Sequence, residues 1–358
     1  MTSENTATHP RISWGLVIHG GVGVLPPEEM TKELEAEYLR TLTESLQAGY
    51  DAMKDGGSAT DAIVESIGVM EDSPIFNAGR GSNFTTDGVV SMDASIMVGN
   101  TLEAGAVAGV TDVRYPIRLA RHVMEDCPHV MLAGPGAEGF ARSVGMESTP
   151  ADFFFTQRRW DDLQAAQARE AQGKEAPNTV DVDDLGALMA GAEPQAPAPG
   201  TRGKAQPSSP PPGGTSAQES RDNTGTVGAV ALDSQGLLVA GTSTGGSANK
   251  KWGRIGDSPV IAAGTYAGSN CGVSCTGWGE YFIRHAVAHD IQARMAYLGL
   301  SLREATQQVV MEKLEAHRKG LGGVVALDRD GNVEMCFNTR GMYRGWVNQD
   351  GEIQVAIW

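Results

Sequence analysis

The first half of the chain alternates short apolar runs with amphipathic stretches. Leu16-Val17-Ile18 predicts a buried strand that ends at His19-Gly20-Gly21. From Pro27 to Lys54 apolar residues recur at helical spacing, so we expect a helix there. Ser58-Ala59-Thr60-Asp61 has the form of a helix cap and predicts a second helix after it. Beyond a glycine-rich loop, the pattern predicts two strands and a short helix, over 89–98, 106–110 and 116–124.

Strands dominate the second half. Residues 226–233 and 237–242 are apolar and flank Ser234-Gln235-Gly236, which is a hairpin signal. The run 323–328 closely repeats 228–233, and a turn and another apolar run follow it, so a second hairpin is expected. Between the hairpins the spacing predicts two helices, over about 280–297 and 302–318. Two similar hairpins imply antiparallel sheet, and the whole pattern predicts layered α+β structure.

Residues 161–225 interrupt this pattern. The part over 161–192 is polar and rich in Ala, and residues 193–222 hold seven of the chain's 17 prolines. Such a composition cannot build a packed core. It predicts a disordered, Pro-rich linker over about 161–225, with a Pro-rich ligand for a partner as the alternative.

Composition narrows the classes of function. The net charge of −16 repels phosphate backbones, so we expect no nucleic-acid partner. The four cysteines form no CxxC pair, which fits a reducing compartment. The N-terminal sequence MTSENTATHPRISW has no apolar signal-peptide core, and no apolar run is long enough to span a bilayer. These features predict a cytoplasmic protein without a membrane partner.

Three short patterns suggest chemistry that their context does not favour. Residues 134–139 match GxGxxG, but Pro135 occupies the critical turn and no βαβ unit follows, so a turn into a helix is expected. Ser243 lies in a GxSxG pattern and could use His289 or His317 in a serine-hydrolase triad, but loop instead of helix follows it. His285 and His289 have zinc-ligand spacing without the Glu of HExxH or a third ligand.

The junction Gly225-Thr226 offers a different nucleophile. A threonine hydroxyl needs an adjacent base, and no His or Lys is near in sequence. If the chain is cut before Thr226, the new α-amine has an ordinary pKa of about 7.7–8.0 and can take the proton of its own hydroxyl. The same hydroxyl can make the cut by attacking the Gly225 carbonyl, with an acyl shift from nitrogen to oxygen and release by water. Gly-Thr alone is weak evidence, so the surrounding residues must decide.

Several motifs occur in one order along 15–155 and 226–350. They are VIHGGVG at 17–23, SATDAIVESIGVMEDSPIFNAGRGSNF at 58–84, MDASIMVGNTLEAGAVAGV at 92–110, PHVMLAGPG at 128–136, TVGAVALDSQGLLVAGTSTGG at 226–246, NKKWGRIGDSP at 249–259, SCTGWGE at 274–280 and GMYRGW at 341–346. Together they resemble the plant-type (type 2) L-asparaginase/isoaspartyl peptidase family of N-terminal nucleophile hydrolases. The linker departs from the family in being longer and richer in Pro.

This resemblance implies the fold and the assembly. The fold would be a four-layer αββα sandwich, formed as one domain. Autocleavage between Gly225 and Thr226 would leave an α subunit, 1–225, and a β subunit, 226–358. The usual assembly is an (αβ)2 dimer, and no cofactor is needed for catalysis.

The resemblance also implies roles by position. Thr226 would be nucleophile and, through its amine, base, and Thr244 would bond near it. Arg254 and Asp257 would hold the α-carboxylate and α-ammonium of the substrate, which suits a guanidinium and a carboxylate. Thr276 and Gly277 would receive the substrate side chain and oxyanion. Asn77 would lie in the oxyanion hole.

The implied activity is hydrolysis of L-asparagine and of isoaspartyl dipeptides. The implied structural ion is sodium, held by carbonyl oxygens of six positions, Met70, Glu71, Ser73, Phe76, Ala78 and Arg80. The alternatives are a glycosylasparaginase-like or threonine-aspartase-like hydrolase and an uncleaved, inactive binding protein of the same fold. The nucleophile of those two branches follows Asp, whereas Gly225 precedes it here.

Overall fold

The computed structural model describes residues 12–173, 225–317 and 320–358. Within these ranges it has twelve strands: β1 (Gly15–Val22), β2 (Met92–Val98), β3 (Ala104–Val110), β4 (Met131–Ala133), β5 (Val227–Leu232), β6 (Leu238–Thr244), β7 (Thr265–Ala267), β8 (Cys271–Gly277), β9 (Gly322–Asp328), β10 (Val333–Phe337), β11 (Met342–Asn348) and β12 (Ile353–Ala356). The helices of the same ranges are α1 (Lys32–Met53), α2 (Ala59–Asp72), α3 (Pro116–Asp126), α4 (Gly134–Ser143), α5 (Gln157–Ala171), α6 (Gly279–His285), α7 (Val287–Leu298) and α8 (Leu302–Gln307).

The strands form two sheets. The larger has the order β12-β11-β1-β5-β6-β2-β3-β4, and the smaller has the order β10-β9-β8-β7. Neighbouring strands are antiparallel except β3 and β4, which are parallel. Both predicted hairpins, β5–β6 and β9–β10, are confirmed.

Alternate side chains of β5 belong to different clusters of buried residues. Ala229 and Ala231 pack with residues of α1 and α2. Val230 and Leu232 lie in a second cluster, which contains Val325 of β9 in the smaller sheet. This alternation follows from the two-residue repeat of a strand. A third cluster joins α6, α7 and α8 to β8 and β9. The mixture of helix and sheet confirms the predicted α+β class.

Two predicted boundaries in the first half are wrong. The first helix begins at Lys32 and not at Pro27, because the carbonyl of Pro26 accepts the amides of Glu29 and Met30 in a turn. Thr31 then caps the helix, and its side chain accepts the Leu34 amide at 3.2 Å. The next strand begins at Met92 instead of 89. The cap predicted at Ser58 is confirmed, with its hydroxyl accepting the Asp61 amide at 3.1 Å.

The predicted linker is wrong over its first part. Residues 161–171 continue α5, in which Leu163 and Ala166 are buried. Arg159 is also buried and donates from Nε to the Gly81 carbonyl at 2.7 Å. These contacts to the rest of the chain stabilise a helix whose own sequence is polar. Residues 174–224 of the linker prediction lie outside the described residues.

The predicted helices of the second half are interrupted. Ala286 has φ of 47°, in the left-handed region, and separates α6 from α7, so one helix over 280–297 is wrong. The helix expected over 302–318 is α-helical only to Gln307, and a π-helix, Gln308–Leu314, continues it. Among the helices of the described ranges, none combines the length and apolar character needed to cross a bilayer.

Candidate active site

Thr226 lies at the start of β5, opposite Thr244 at the end of β6. The hairpin register that pairs Leu232 with Leu238 and Val227 with Ser243 brings the two threonines face to face. The Thr226 hydroxyl donates to the Thr244 hydroxyl at 3.1 Å, and both residues are buried. The Thr244 oxygen also accepts the Gly246 amide at 2.9 Å. The hydroxyl of Thr226 is therefore held in one direction.

The carbonyl of Gly225, on the other side of the candidate scissile bond, is held by Asn77. Nδ2 of Asn77 donates to this carbonyl at 2.6 Å and to the Gly246 carbonyl at 2.7 Å. Oδ1 of Asn77 accepts the Asn83 amide at 2.8 Å, which fixes the amide group from behind. A donor in this position stabilises negative charge that develops on the Gly225 oxygen.

Gly21 of β1 closes the site against the same peptide bond. Its φ is +100°, and a Cβ built on it would lie 2.7 Å from the nitrogen of Thr226. A side chain there would both strain the backbone and displace Thr226. The glycines of the VIHGGVG motif thus allow β1 to approach Thr226 closely.

A cavity opens beside Thr226. Its lining comes from the strand ends of β5, β6 and β8 and from the loop after β6, and consists of Thr226, Thr244, Gly246, Ser247, Arg254, Gly256, Asp257, Ser258 and Gly277. Five of the predicted site residues are therefore neighbours of one cavity. Thr276 is fully buried next to it, where its hydroxyl accepts the Val22 amide at 3.1 Å.

Arg254 and Asp257 both line this cavity, but they do not form an ion pair with each other. Arg254 instead donates from Nε and Nη2 to the two carboxylate oxygens of Glu280, at 2.9 and 3.0 Å. Oδ2 of Asp257 is buried without a hydrogen-bond partner. Burial raises the pKa of Asp257 to about 7, although the nearby Arg254 guanidinium lowers it. A cationic partner would therefore stabilise the ionised form of Asp257.

Gly279 lies between these two side chains. A Cβ on Gly279 would be 2.8 Å from Nη2 of Arg254 and 3.0 Å from Oδ1 of Asp257. The absence of a side chain at this position therefore lets a guanidinium and a carboxylate reach the same small space.

Sequence reasoning missed three contributors: Glu280, Asn83 and His19. Glu280 is the last residue of the SCTGWGE motif, and Asn83 lies near the end of the motif at 58–84. Both therefore belong to the motifs that carry the family resemblance. His19 ends the first apolar run, and its Nδ1 bonds to the Thr226 carbonyl at 2.9 Å. No local pattern connects residues so far apart in the chain.

Neither the GxSxG serine nor the His285–His289 pair forms a functional site in the structure. Ser243 is near the end of β6, paired with Val227 of β5 and Ala94 of β2, and it donates to the buried carboxyl of Glu71 at 2.6 Å. It therefore lacks the strand–turn–helix context of a serine hydrolase. His285 is in α6 and His289 in α7, on either side of the break, and His285 instead contacts His317, with 3.0 Å between their Nε2 atoms. Over the described residues, no three His, Cys, Asp or Glu side chains converge as a metal site.

The positions expected to hold sodium occupy the end of α2 and the loop after it. Met70 and Glu71 are in the last turn of α2, Ser73 is its C-cap, and Arg80 is in a 3-10 turn, Gly79–Gly81. The carbonyls of Met70 and Ala78 each accept one amide, from Ser73 and Gly81. Because a carbonyl oxygen has two acceptor sites, these oxygens can still coordinate a hard cation. These two carbonyl oxygens therefore have the acceptor chemistry that such an ion needs.

Comparison with known proteins gives one consistent result. The model of the asparaginase family matches residues 12–357. An isoaspartyl peptidase of Salmonella typhimurium is 44% identical, with 92% of this chain and 94% of the relative aligned. A putative isoaspartyl peptidase/L-asparaginase of Dictyostelium discoideum is 45% identical over 95% of this chain and 94% of the relative. A plant-type L-asparaginase of Pyrococcus abyssi is 38% identical over 91% of this chain and 94% of the relative.

Proposed function

Since this chain belongs to the asparaginase family and is a hydrolase, we propose that it hydrolyses L-asparagine to L-aspartate and ammonia and cleaves β-aspartyl dipeptides. Thr226 is the nucleophile in this proposal, after autocleavage from Gly225. One observation carries it: the Thr226 hydroxyl is bonded to Thr244 at 3.1 Å, while Asn77 polarises the Gly225 carbonyl at 2.6 Å. The nucleophile and the bond it must attack are thus both held in place.

The first step of the proposal is the cut. The Thr226 oxygen attacks the Gly225 carbonyl carbon, and Asn77 stabilises the charge that forms on the oxygen. The peptide C–N bond breaks, its nitrogen takes a proton to become the α-amine of Thr226, and an ester remains on Oγ1. Water hydrolyses that ester and leaves two chains, 1–225 and 226–358.

The second step is turnover. The free amine of Thr226, with an ordinary pKa of about 7.7–8.0, accepts the proton of its own hydroxyl, which attacks the side-chain amide carbon of asparagine. Ammonia leaves, and water then releases aspartate from the ester. Asn77, Thr276 and Gly277 receive the oxyanion and side chain of the substrate in this proposal.

Recognition of the substrate falls to Arg254 and Asp257. Arg254 retains a free guanidinium edge for the α-carboxylate, because Glu280 occupies only Nε and Nη2. Ionised Asp257 holds the α-ammonium. An isoaspartyl dipeptide presents the same two groups, so the same pair of residues serves both substrates.

The test is intact mass under denaturing conditions together with assays on both substrates. Two chains, with the smaller one starting Thr-Val-Gly-Ala, are expected from the full-length protein. Thr226→Ala is expected to remain uncut and inactive, whereas Ser243→Ala remains cut and active. The opposite pattern would identify a serine hydrolase instead. One uncut, inactive wild-type chain would favour the binding-protein alternative.

Assembly and ion content are part of the same proposal. The two sheets and the three clusters of buried residues support a four-layer αββα sandwich. The (αβ)2 dimer and the cytoplasmic location stay predictions, as does the boundary between the subunits.

For the structural sodium ion, thermal unfolding in sodium chloride is compared with thermal unfolding in choline chloride at equal ionic strength. An equal Tm in both salts would contradict the ion.

A further inference from the structure

A buried histidine, His19, contacts the carbonyl group of Thr226. His19 is fully buried within β1, and its two ring nitrogens have different partners. Nδ1 is 2.9 Å from the Thr226 carbonyl oxygen, and Nε2 is 2.9 Å from the Ser274 hydroxyl of β8. The imidazole of this β1 residue therefore links Thr226, directly before β5 in the large sheet, to Ser274 of β8 in the small sheet.

The partners determine the tautomer of this ring. A carbonyl oxygen can only accept, so Nδ1 carries the proton and donates it to Thr226. Nε2 is then an acceptor, and Ser274 donates to it. Burial lowers the pKa of His19 to about 3, so the ring is neutral under all ordinary conditions. With one nitrogen donating and the other accepting, His19 has no free lone pair with which to act as a base.

The arrangement continues away from the nucleophile through hydroxyl groups. Ser274 is 2.7 Å from Thr242, which in turn accepts from Thr265 at 2.6 Å. Ser95 lies 2.8 Å from Thr265 and bonds the Ser258 carbonyl at 2.6 Å, next to Asp257. Because Ser274 donates to His19, Thr242 donates to Ser274, and Thr265 donates to Thr242. The single hydroxyl proton of Ser95 goes to the Ser258 carbonyl, so this run of donors begins at Thr265. The donors thus point in one direction, towards Thr226.

The space around the ring is filled. A Cβ on Gly228 would lie 2.5 Å from Nε2 of His19 and 2.0 Å from the Ser274 oxygen. The imidazole is thus confined between β5 and β8 and cannot turn its nitrogens to other partners.

We infer that His19 is a positioning residue for the cut enzyme, holding the carbonyl of Thr226 so that the α-amine and the hydroxyl of this residue together keep one orientation towards the cavity. This inference rests on the proposed function of Thr226. After the cut, the peptide bond to Gly225 no longer restrains the nitrogen of Thr226. Rotation about its Cα–C bond would then move the amine and the side chain together. The His19 bond to the carbonyl and the Thr244 bond to the hydroxyl resist that rotation from two sides.

Two substitutions of His19 separate its two bonds. In His19→Asn the side-chain amide can replace the Nδ1 donor to Thr226 but cannot reach Ser274. In His19→Gln the amide reaches towards Ser274 and the donor to Thr226 is lost. The matched controls are His122→Asn and His122→Gln. His122 is on the surface of α3, and among the described residues its side chain bonds only to Asp126.

The readouts are made on full-length protein. Intact mass gives the fraction of cut chain. Both kcat and KM are measured on L-asparagine, and kcat is calculated per mole of cut chain. Since small displacements of a reacting group cost up to about 100-fold in rate, we expect kcat of His19→Gln to fall by roughly 10–100-fold. KM is expected to change little, because no bond to the substrate is lost. His19→Asn is expected to recover most of kcat, and both His122 variants to match wild type.

Several outcomes would overturn the inference. They are an unchanged kcat per cut chain in His19→Gln, and an equal loss of kcat in the Asn and Gln variants, which would indicate a packing role alone. If neither variant folds, Ser274→Ala decides: it frees one side of the ring, so a lower kcat at unchanged KM is expected, and an unchanged kcat contradicts the inference. Failure of the proposed function itself looks different, because wild type would then be uncut or Thr226→Ala would be active.

Discussion

Replacement of Asn77 by alanine tests the cut most directly. Asn77→Ala removes the 2.6 Å donor to the Gly225 carbonyl, and the remaining contact, from the Thr244 hydroxyl, is 3.4 Å long. A bond of that length is too weak to replace the amide. Loss of one preorganised oxyanion donor lowers a rate by about 100–1,000-fold, or roughly 3–4 kcal/mol of transition-state stabilisation. We expect the rate of autocleavage to fall by that factor.

The assay follows newly made chains. Full-length protein from cell-free synthesis is sampled over time after translation is stopped, and intact mass gives the uncut fraction. The control is Asn83→Ala, which removes the other side-chain amide bond to the Gly246 carbonyl, 2.7 Å long, and keeps the Asn77 donor to the Gly225 carbonyl. If Asn77→Ala folds with the Tm of the control and is cut within about threefold of the wild-type rate, the oxyanion role assigned from this bond is wrong.

Three further outcomes are expected. Gly279→Ala places a methyl group 2.8 Å from Nη2 of Arg254 and 3.0 Å from Asp257, so KM for asparagine rises while intact mass still shows two chains. As pH falls below about 7, Asp257 becomes protonated and loses its attraction for the α-ammonium, so kcat/KM falls; the acid limb is less steep in Asp257→Asn, and an equal slope would contradict this. Leu42→Ala empties a fully buried position, so chemical denaturation should show a loss of about 2–5 kcal/mol, with kcat per cut chain unchanged.

Much of the fold could be predicted from periodicity, because most elements bury a regular face. The hairpin around Ser234-Gln235-Gly236 is an example, since apolar alternation and turn residues specify the same pairing. Periodicity gave wrong predictions where contacts between distant parts of the chain determine the local structure. The polar helix α5 depends on the burial of Arg159 against Gly81, and the break at Ala286 has no glycine or proline to announce it.

The candidate site divides in the same way. The contact between Thr226 and Thr244 follows from the hairpin register alone, because the pairing of Leu232 with Leu238 places these two residues opposite each other. Asn77 and His19 reach the nucleophile from loops and strands more than 140 residues away in the chain. Only the resemblance to a family could suggest Asn77, and nothing in the sequence indicated the role of His19.

The strand order of the large sheet has a consequence for how this protein can be made. Strands that precede Gly225 (β1 to β4) are interleaved with strands that follow it: β1 lies between β11 and β5, and β6 pairs with β2. A gene split at this junction would produce two separately translated polypeptides, each with strand edges that attract other chains. Under the proposed autocleavage, a single polypeptide delivers both halves in equal number and lets the sheet form before the junction is cut.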